Sequence, residues 1–260
     1  MSAGTFAPRP GAAPLSRMIG AQAALETRML LRNGEQLLLT VIIPALLLVL
    51  FSSVDVISVP VDAGGSGKSV DFLAPGVLAL AVMSTAFTGQ AIATGFDRRH
   101  GVLKRLGASP LPRWGLMVAK TLSVLVTEVL QVALLTGIAF ALGWSPHGNP
   151  LAVAALLLLG TAAFSGLGLL MAGTLKAEVT LAAANLVFLL LLVAGGVIVP
   201  LEKFPAGLRH VLELLPVSAL SQGLRDVLQH GAGLPWEQLG LLGGWSVLGL
   251  GLAARHFRWE

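Results

Sequence analysis

The sequence has 260 residues, of which 55% are hydrophobic and only 12% are charged, and its mean hydropathy is +0.83. Soluble domains have about 25% charged residues, so this composition excludes an ordinary soluble globular protein. The net charge of +4 does not indicate a nucleic-acid partner, because the basic residues lie at the ends of apolar segments, where they orient helices and meet anionic headgroups of membrane lipids. The absence of cysteine excludes disulfides, thiolate metal sites and a cysteine nucleophile.

The N-terminal arm does not have the apolar core of a cleaved signal peptide, since residues 1–13 are rich in Pro, Gly and Ala. Residues 14–33 read PLSRMIGAQAALETRMLLRN, in which Leu, Met and Ile alternate with arginines. This pattern predicts a helix that lies on the cytoplasmic face of the membrane, with a solvated helix as the alternative. We therefore divide the chain into an arm with an interfacial helix, residues 1–35, and a single membrane domain, residues 36–260.

Six apolar segments are long enough to cross a bilayer, which requires about 20 residues. They are residues 36–54, 73–96, 118–142, 151–175, 179–199 and 237–254. The last is the shortest and contains Gly240, Gly243, Gly244, Gly249 and Gly251. Glycine is common in membrane helices where two backbones pack closely, so the segment is kept as a span. The prediction is an all-α polytopic membrane protein with six transmembrane helices.

A basic segment, residues 96–114, follows the second predicted span and reads FDRRHGVLKRLGASPLPRW. It contains five Lys or Arg residues against one acid, Asp97. Across the chain, thirteen of the 17 Lys and Arg residues fall on the same side of the six spans as this segment. Because Lys and Arg are retained on the cytoplasmic side, both termini are predicted to be cytoplasmic.

The first outer loop reads DAGGSGKS at residues 62–69 and superficially resembles a phosphate-binding loop. That motif requires glycine at the position of Asp62, whose carboxylate would also repel phosphate. A flexible Gly/Ser loop is the better interpretation. Histidines are scattered without metal-binding spacing, and Ser165 lacks the first glycine of a serine-hydrolase motif. The sequence thus predicts neither a catalytic nor a metal site.

The outer loop between the fifth and sixth spans, residues 200–235, has two stretches of helical periodicity separated by Pro216. We predict two short amphipathic helices that form a re-entrant hairpin in the outer headgroup layer, with a plain surface loop as the alternative.

Polar side chains are rare within the predicted spans, and the candidates for a substrate path are Gln90, Glu128, Gln131 and Asn185. Glu128 lies about ten residues into the third span, close to the midplane, where an ionisable group is a functional candidate. Gln131 shares its helical face. The alternative is a packing contact, in which Glu128 bonds across to another span.

The segment GVLKRLGASPLPRW, residues 101–114, resembles the signature that follows the second span in ABC-2 type permeases, the membrane subunits of bacterial ATP-driven exporters. Residues 195–228 are similar to the outer re-entrant hairpin of that family in their proline-bounded start, in Leu215 with Pro216, and in Arg225. One difference is DRRH at residues 97–100, where the family more often has glutamates. The resemblance extends from the interfacial helix through all six spans.

The resemblance implies a half-transporter in the bacterial inner membrane that pairs as a homodimer or heterodimer. Each chain would dock a separate ABC ATPase, so ATP would be hydrolysed by the partner and no cofactor would be bound by this chain. The coupling loop would comprise Arg98, Arg99, Gly101, Leu103, Lys104, Arg105 and Pro110. The expected cargo is an amphipathic, drug-like or lipid-linked compound moved outward, as in multidrug or antibiotic efflux.

Two other classes remain open from the residues alone. A channel or an ion- or proton-coupled secondary carrier would use Glu128 as its ion site. Such carriers usually have two matching halves, but residues 36–142 and 151–254 show no repeat. An ATPase-coupled assembly factor or sensor without a transported solute is the other class.

Overall fold

The structure is a computed structural model that describes residues 13–32, 34–53, 69–197 and 204–257, and within these ranges every regular element is a helix. Residues 62–68 of the predicted Gly/Ser loop, residues 1–12 of the arm, residues 198–199 of the fifth predicted span and residues 200–203 of the predicted hairpin region lie outside the described residues. The helices are α1 (Leu15–Arg32), α2 (Gly34–Ser53), α3 (Ser69–Val82), α4 (Gln90–Arg99), α5 (Val102–Gly107), α6 (Arg113–Ala141), α7 (Pro150–Thr174), α8 (Ala177–Ala194), α9 (Ala206–Glu213), α10 (Pro216–Leu228) and α11 (Trp236–His256).

Four helical segments in the described residues are both long and apolar enough to cross a bilayer. They are Ser69–Arg99, Arg113–Ala141, Pro150–Thr174 and Ala177–Ala194, which match the second to fifth predicted spans. The first and sixth predicted spans are also helical, as α2 and α11. Neither is among the four segments that are long and apolar enough. The described apolar part of α2, Thr40–Ser52, is too short, and the five glycines of α11 lower its mean hydropathy. The molecule is a multi-pass membrane protein.

The second span is a single long helix at the centre of the bundle. It runs from α3 into α4 through a π-helical segment, Met83–Gly89, and so extends beyond the predicted range 73–96. Of the residues of α3, only Phe72 is not buried. In its most apolar stretch 89% of the residues are buried within the protein, against 17% for α8. Neighbouring helices, not lipid, therefore surround this stretch of the span.

The close packing of α7 with α11 depends on glycine. A Cβ atom on Gly166 would lie 2.5 Å from the backbone nitrogen of Leu250, and one on Gly249 would lie 3.1 Å from that of Leu167. The two backbones can approach this closely only without side chains between them. The other four glycines of α11 face open space, and these are Gly240, Gly243, Gly244 and Gly251.

Two helices, α9 and α10, occupy the predicted hairpin region and are separated where the sequence predicts, since Pro216 is the first residue of α10. Every residue of α10 is buried except Gln222 and Asp226. Its apolar face therefore packs against α3, α7 and α11, whereas the sequence suggested contact with headgroups. Burial raises the pKa of the Asp226 carboxyl, and the nearby His230 partly offsets this effect.

Contacts between α10 and the start of α3 close one end of the bundle. The Arg225 guanidinium donates to the carbonyl of Val197 at 2.9 Å and lies 4.1 Å from the ring centroid of Phe72. The Gln229 amide donates to the carbonyl of Asp71 at 2.6 Å. The opposite end of the bundle holds α1, α5 and the adjoining ends of α4, α6, α7, α8 and α11.

Candidate functional site

The basic segment after the second span is a helix, a tight turn and a second short helix. α4 continues to Arg99, and α5 begins at Val102. Between them Gly101 has a φ of 70°, a left-handed conformation that glycine adopts without steric cost. No atom lies within 4 Å of a Cβ built on Gly101, so the requirement for glycine is conformational. Pro112 then leads directly into α6.

Two arginines at the end of α4 fasten this segment to its neighbours. The Arg98 guanidinium donates to the carbonyls of Ala172 and Leu175, at 3.1 Å and 2.5 Å. These carbonyls lie at the C-terminus of α7, where helix carbonyls lack intrahelical partners and favour a cation. Arg99 forms an exposed ion pair with Glu178 of α8 at 2.5 Å. Both side chains thus hold α4 against α7 and α8.

Leu103 anchors α5 in a small hydrophobic cluster separate from the main core. The residue is fully buried, and the cluster draws on α5, α6, α7 and α11. Its buried members are Leu103, Leu111, Leu116, Met117, Leu169, Ala253 and Phe257. Side chains of α1 pack against the same cluster. α5 is therefore fixed to four other helices and would move with them.

The remaining predicted coupling residues face outward. Lys104, Arg105 and Pro110 are exposed, and the Arg105 side chain lies 3.5 Å from the carbonyls of His100 and Gly101. Within the predicted coupling set, Arg98, Arg99 and Leu103 thus contact neighbouring helices, whereas Lys104, Arg105 and Pro110 lie at the surface of the segment.

A three-residue ion cluster joins Asp97 of the basic segment to two neighbouring helices. The Lys120 ammonium of α6 is 2.9 Å from the Asp97 carboxylate of α4 and 3.1 Å from the Glu26 carboxylate of α1. Lys120 is only 3% exposed, so its charge is neutralised by these two acids rather than by water. The cluster connects α1, α4 and α6 at one point.

Gln90 and Gln131 face the interior between α2, α6 and the π-helical segment. The Gln131 amide accepts from the Thr85 hydroxyl at 2.9 Å and donates to the Thr40 carbonyl at 2.6 Å. Gln90 is buried, and neither amide atom has a partner among the described residues. It lines a cavity of about 40 Å³, shared with Thr85, Lys120 and Glu26. That volume can hold about three water molecules.

The other two candidate path residues lie elsewhere. Glu128 points toward α7, where its carboxylate accepts a hydrogen bond from Thr161. Asn185 is on the exposed face of α8 and donates to the carbonyl of Leu181 within its own helix. The structure thus brings Gln90 and Gln131 to one region, places Glu128 on a neighbouring helix face, and leaves Asn185 outside the bundle.

Sequence reasoning missed the ion cluster, although its signals were present. Asp97 is the one acid in a strongly basic segment, and Lys120 is a charge inside an apolar run. A lysine within a span usually has a buried partner. Nothing in the sequence indicated that Glu26 belongs to the cluster, because an acid on an amphipathic helix is ordinarily solvated.

Comparison with known proteins agrees with this architecture. The family described as "ABC-2 family transporter protein" matches residues 21–255. The chain is 29% identical over 139 residues to the linearmycin resistance permease protein LnrN of Bacillus subtilis (strain 168). This alignment covers 52% of the chain and 35% of the relative, so the chain spans about a third of the length of that curated protein. Because the family match includes almost all the described helices, the chain belongs to the ABC-2 family of transporter proteins.

Proposed function

We propose that this chain is the permease subunit of an ABC exporter, which moves an amphipathic, drug-like or lipid-linked compound outward while a separate ATPase subunit hydrolyses ATP. The family membership supports the transport role, and the name of the relative, a resistance permease, supports antibiotic efflux. The observation that carries the proposal is the construction of α5, which is anchored by buried Leu103 and presents exposed Lys104 and Arg105.

This construction suits a coupling element, because work done by a soluble ATPase must reach the membrane helices through a rigid contact. A flexible loop would absorb the displacement in its own backbone. α5 instead shares a hydrophobic cluster with α6, α7 and α11, and Arg98 joins α4 to the end of α7. A push on Lys104 or Arg105 would therefore reach several spans together.

We propose six spans with both termini on the cytoplasmic side of a bacterial inner membrane, α2 and α11 being the first and sixth. The charge asymmetry supports this orientation, and so does the gathering of α5, α1 and the basic end of α4 at one end of the bundle. In this arrangement α9 and α10 form the outer re-entrant hairpin. We place the arm and interfacial helix at residues 1–35 and a single membrane domain at 36–260.

The substrate path is proposed to run past Gln90 and Gln131, with Glu128 beside it on the side of α6 that faces α7. The unpartnered amide of Gln90 and its cavity support this assignment. Asn185 can contribute only where its face of α8 meets a second permease chain, as a homodimer or heterodimer would arrange. The chain itself would bind no cofactor, since ATP belongs to the partner.

The test reverses the exposed charges of α5. Lys104→Glu combined with Arg105→Glu should weaken co-purification of the ATPase at least tenfold, because charge complementarity governs such docking. The spans should still insert, since both side chains are exposed. The matched control is Lys176→Glu with Arg255→Glu, which changes the same charge at exposed sites outside α5. If the α5 variant binds the ATPase as well as the wild type does, the coupling role of α5 is contradicted. The basic segment would then serve only to orient the spans in the membrane.

Transport in inverted vesicles separates the exporter from a secondary carrier. We expect accumulation of an amphipathic probe to require ATP and to survive collapse of the proton gradient. Accumulation that follows the gradient and ignores ATP would overturn the exporter assignment and favour the carrier, with Glu128 as the ion site.

A further inference from the structure

A wide groove opens on the outside of the bundle where α1 crosses α6, and it does not belong to the cavity described above. Its volume is about 640 Å³, within the range of ordinary ligand sites. The C-terminal half of α1 forms its upper wall, and α6 with Leu158 of α7 forms its floor.

The floor of the groove is an apolar stripe along α6. Leu122, Val126 and Val129 recur at helical spacing and are 41%, 48% and 67% exposed. From Leu122 to Val129 the stripe is about 10 Å long, at 1.5 Å per residue. It starts beneath α1 and runs toward the membrane interior, which is the direction an acyl chain takes from its headgroup.

The upper wall carries two arginines one helical turn apart. Arg28 and Arg32 both line the groove and are exposed, and neither has an acidic partner among the described residues. With α1 at the membrane surface, as proposed above, their guanidinium groups are at headgroup depth while the stripe is at acyl depth. Cations held there attract anionic lipid headgroups.

We propose that this groove binds an anionic phospholipid, with its phosphate on Arg28 and Arg32 and one acyl chain along Leu122, Val126 and Val129. The proposal rests on the proposed interfacial position of α1 and is independent of ATP coupling. A second copy of the chain fits less well, because the acids described at this end are already engaged. Glu26 and Asp97 bind Lys120, and Glu178 binds Arg99.

The experiment measures the dissociation constant of the first bound lipid by native mass spectrometry of the full chain, without ATP or ATPase, using phosphatidylglycerol and phosphatidylcholine. Arg28→Gln with Arg32→Gln should weaken phosphatidylglycerol binding about 25-fold, at about fivefold per arginine near an anionic headgroup. Phosphatidylcholine binding should change little. Arg17→Gln with Arg255→Gln removes the same charge at exposed sites outside the groove and should leave the lipid preference intact.

A second variant tests the apolar floor without changing charge. Val126→Trp fills the stripe and should weaken phosphatidylglycerol binding at least fivefold, whereas Leu130→Trp, exposed on α6 but outside the groove, should not. Equal losses in the arginine variant and its control would overturn the proposal, since they would reveal only bulk charge attraction. So would a Val126→Trp variant that binds lipid normally but changes oligomeric state, because a protein would then occupy the groove.

Discussion

Lys120 joins three helices through one buried charge, and its removal should destabilise the protein strongly. Lys120→Met leaves the Glu26 and Asp97 carboxylates facing one another with little access to water, since their side chains are 15% and 24% exposed. We expect a loss of about 3 kcal/mol in the free energy of unfolding, the lower end of the range for broken buried pairs. SDS titration of the detergent-solubilised protein measures it.

The control for Lys120 neutralises the whole cluster. Lys120→Met combined with Glu26→Gln and Asp97→Asn removes the uncompensated charges and should recover most of the lost stability. If Lys120→Met alone unfolds at the wild-type midpoint, the cluster contributes nothing to stability and the three-helix junction is held by apolar packing.

The sequence predicted polar residues inside the spans but not their partners. Glu128 and Gln131 were recognised from position alone, whereas Thr161 and Thr85, which bond to them, are ordinary residues of apolar helices. Partner identity depends on how helices are rotated about their axes. The π-helical segment changes the direction in which side chains point midway along the second span. No local sequence pattern predicts such a segment.

The contact of α7 with α11 should tolerate no side chain at its closest point. Gly166→Ala places a methyl group against backbone, which cannot rotate away, so we expect a loss of about 1–3 kcal/mol in the free energy of unfolding. Gly243→Ala on α11 faces open space and should instead gain about 0.5–1 kcal/mol from helix propensity. The same SDS titration compares them, and equal midpoints would contradict the packing described here.

The positions of the helices could be predicted from the sequence better than the contacts between them. The break before α10 followed from Pro216, and the helices of the four matched spans followed from apolar length. The burial of α10 could not be predicted, because an amphipathic pattern is the same whether the apolar face meets lipid or protein. The second span was predicted to end at residue 96, but its helix continues to Arg99, so the first residues of the predicted coupling loop are helical.

For the whole molecule, the proposed orientation predicts opposite labelling of two exposed positions. The chain has no cysteine, so Ala108→Cys beside α5 and Ser145→Cys between α6 and α7 can each be labelled singly. In intact cells an impermeant thiol reagent should label Ser145→Cys, and it should reach Ala108→Cys only after permeabilisation. The reverse pattern would invert the topology and place α5 out of reach of any cytoplasmic ATPase.

Because neighbouring helices enclose the central helix, bilayer thickness acts on this protein mainly through its peripheral helices. A change in bilayer thickness is felt where acyl chains touch a span, and each ångström of mismatch has a modest energetic cost there. α8 and the outer face of α6 meet that condition, whereas the most apolar stretch of Ser69–Arg99 is enclosed by neighbouring helices. Bilayer thickness can therefore tilt the peripheral helices directly, and it reaches the second span only through their contacts with it.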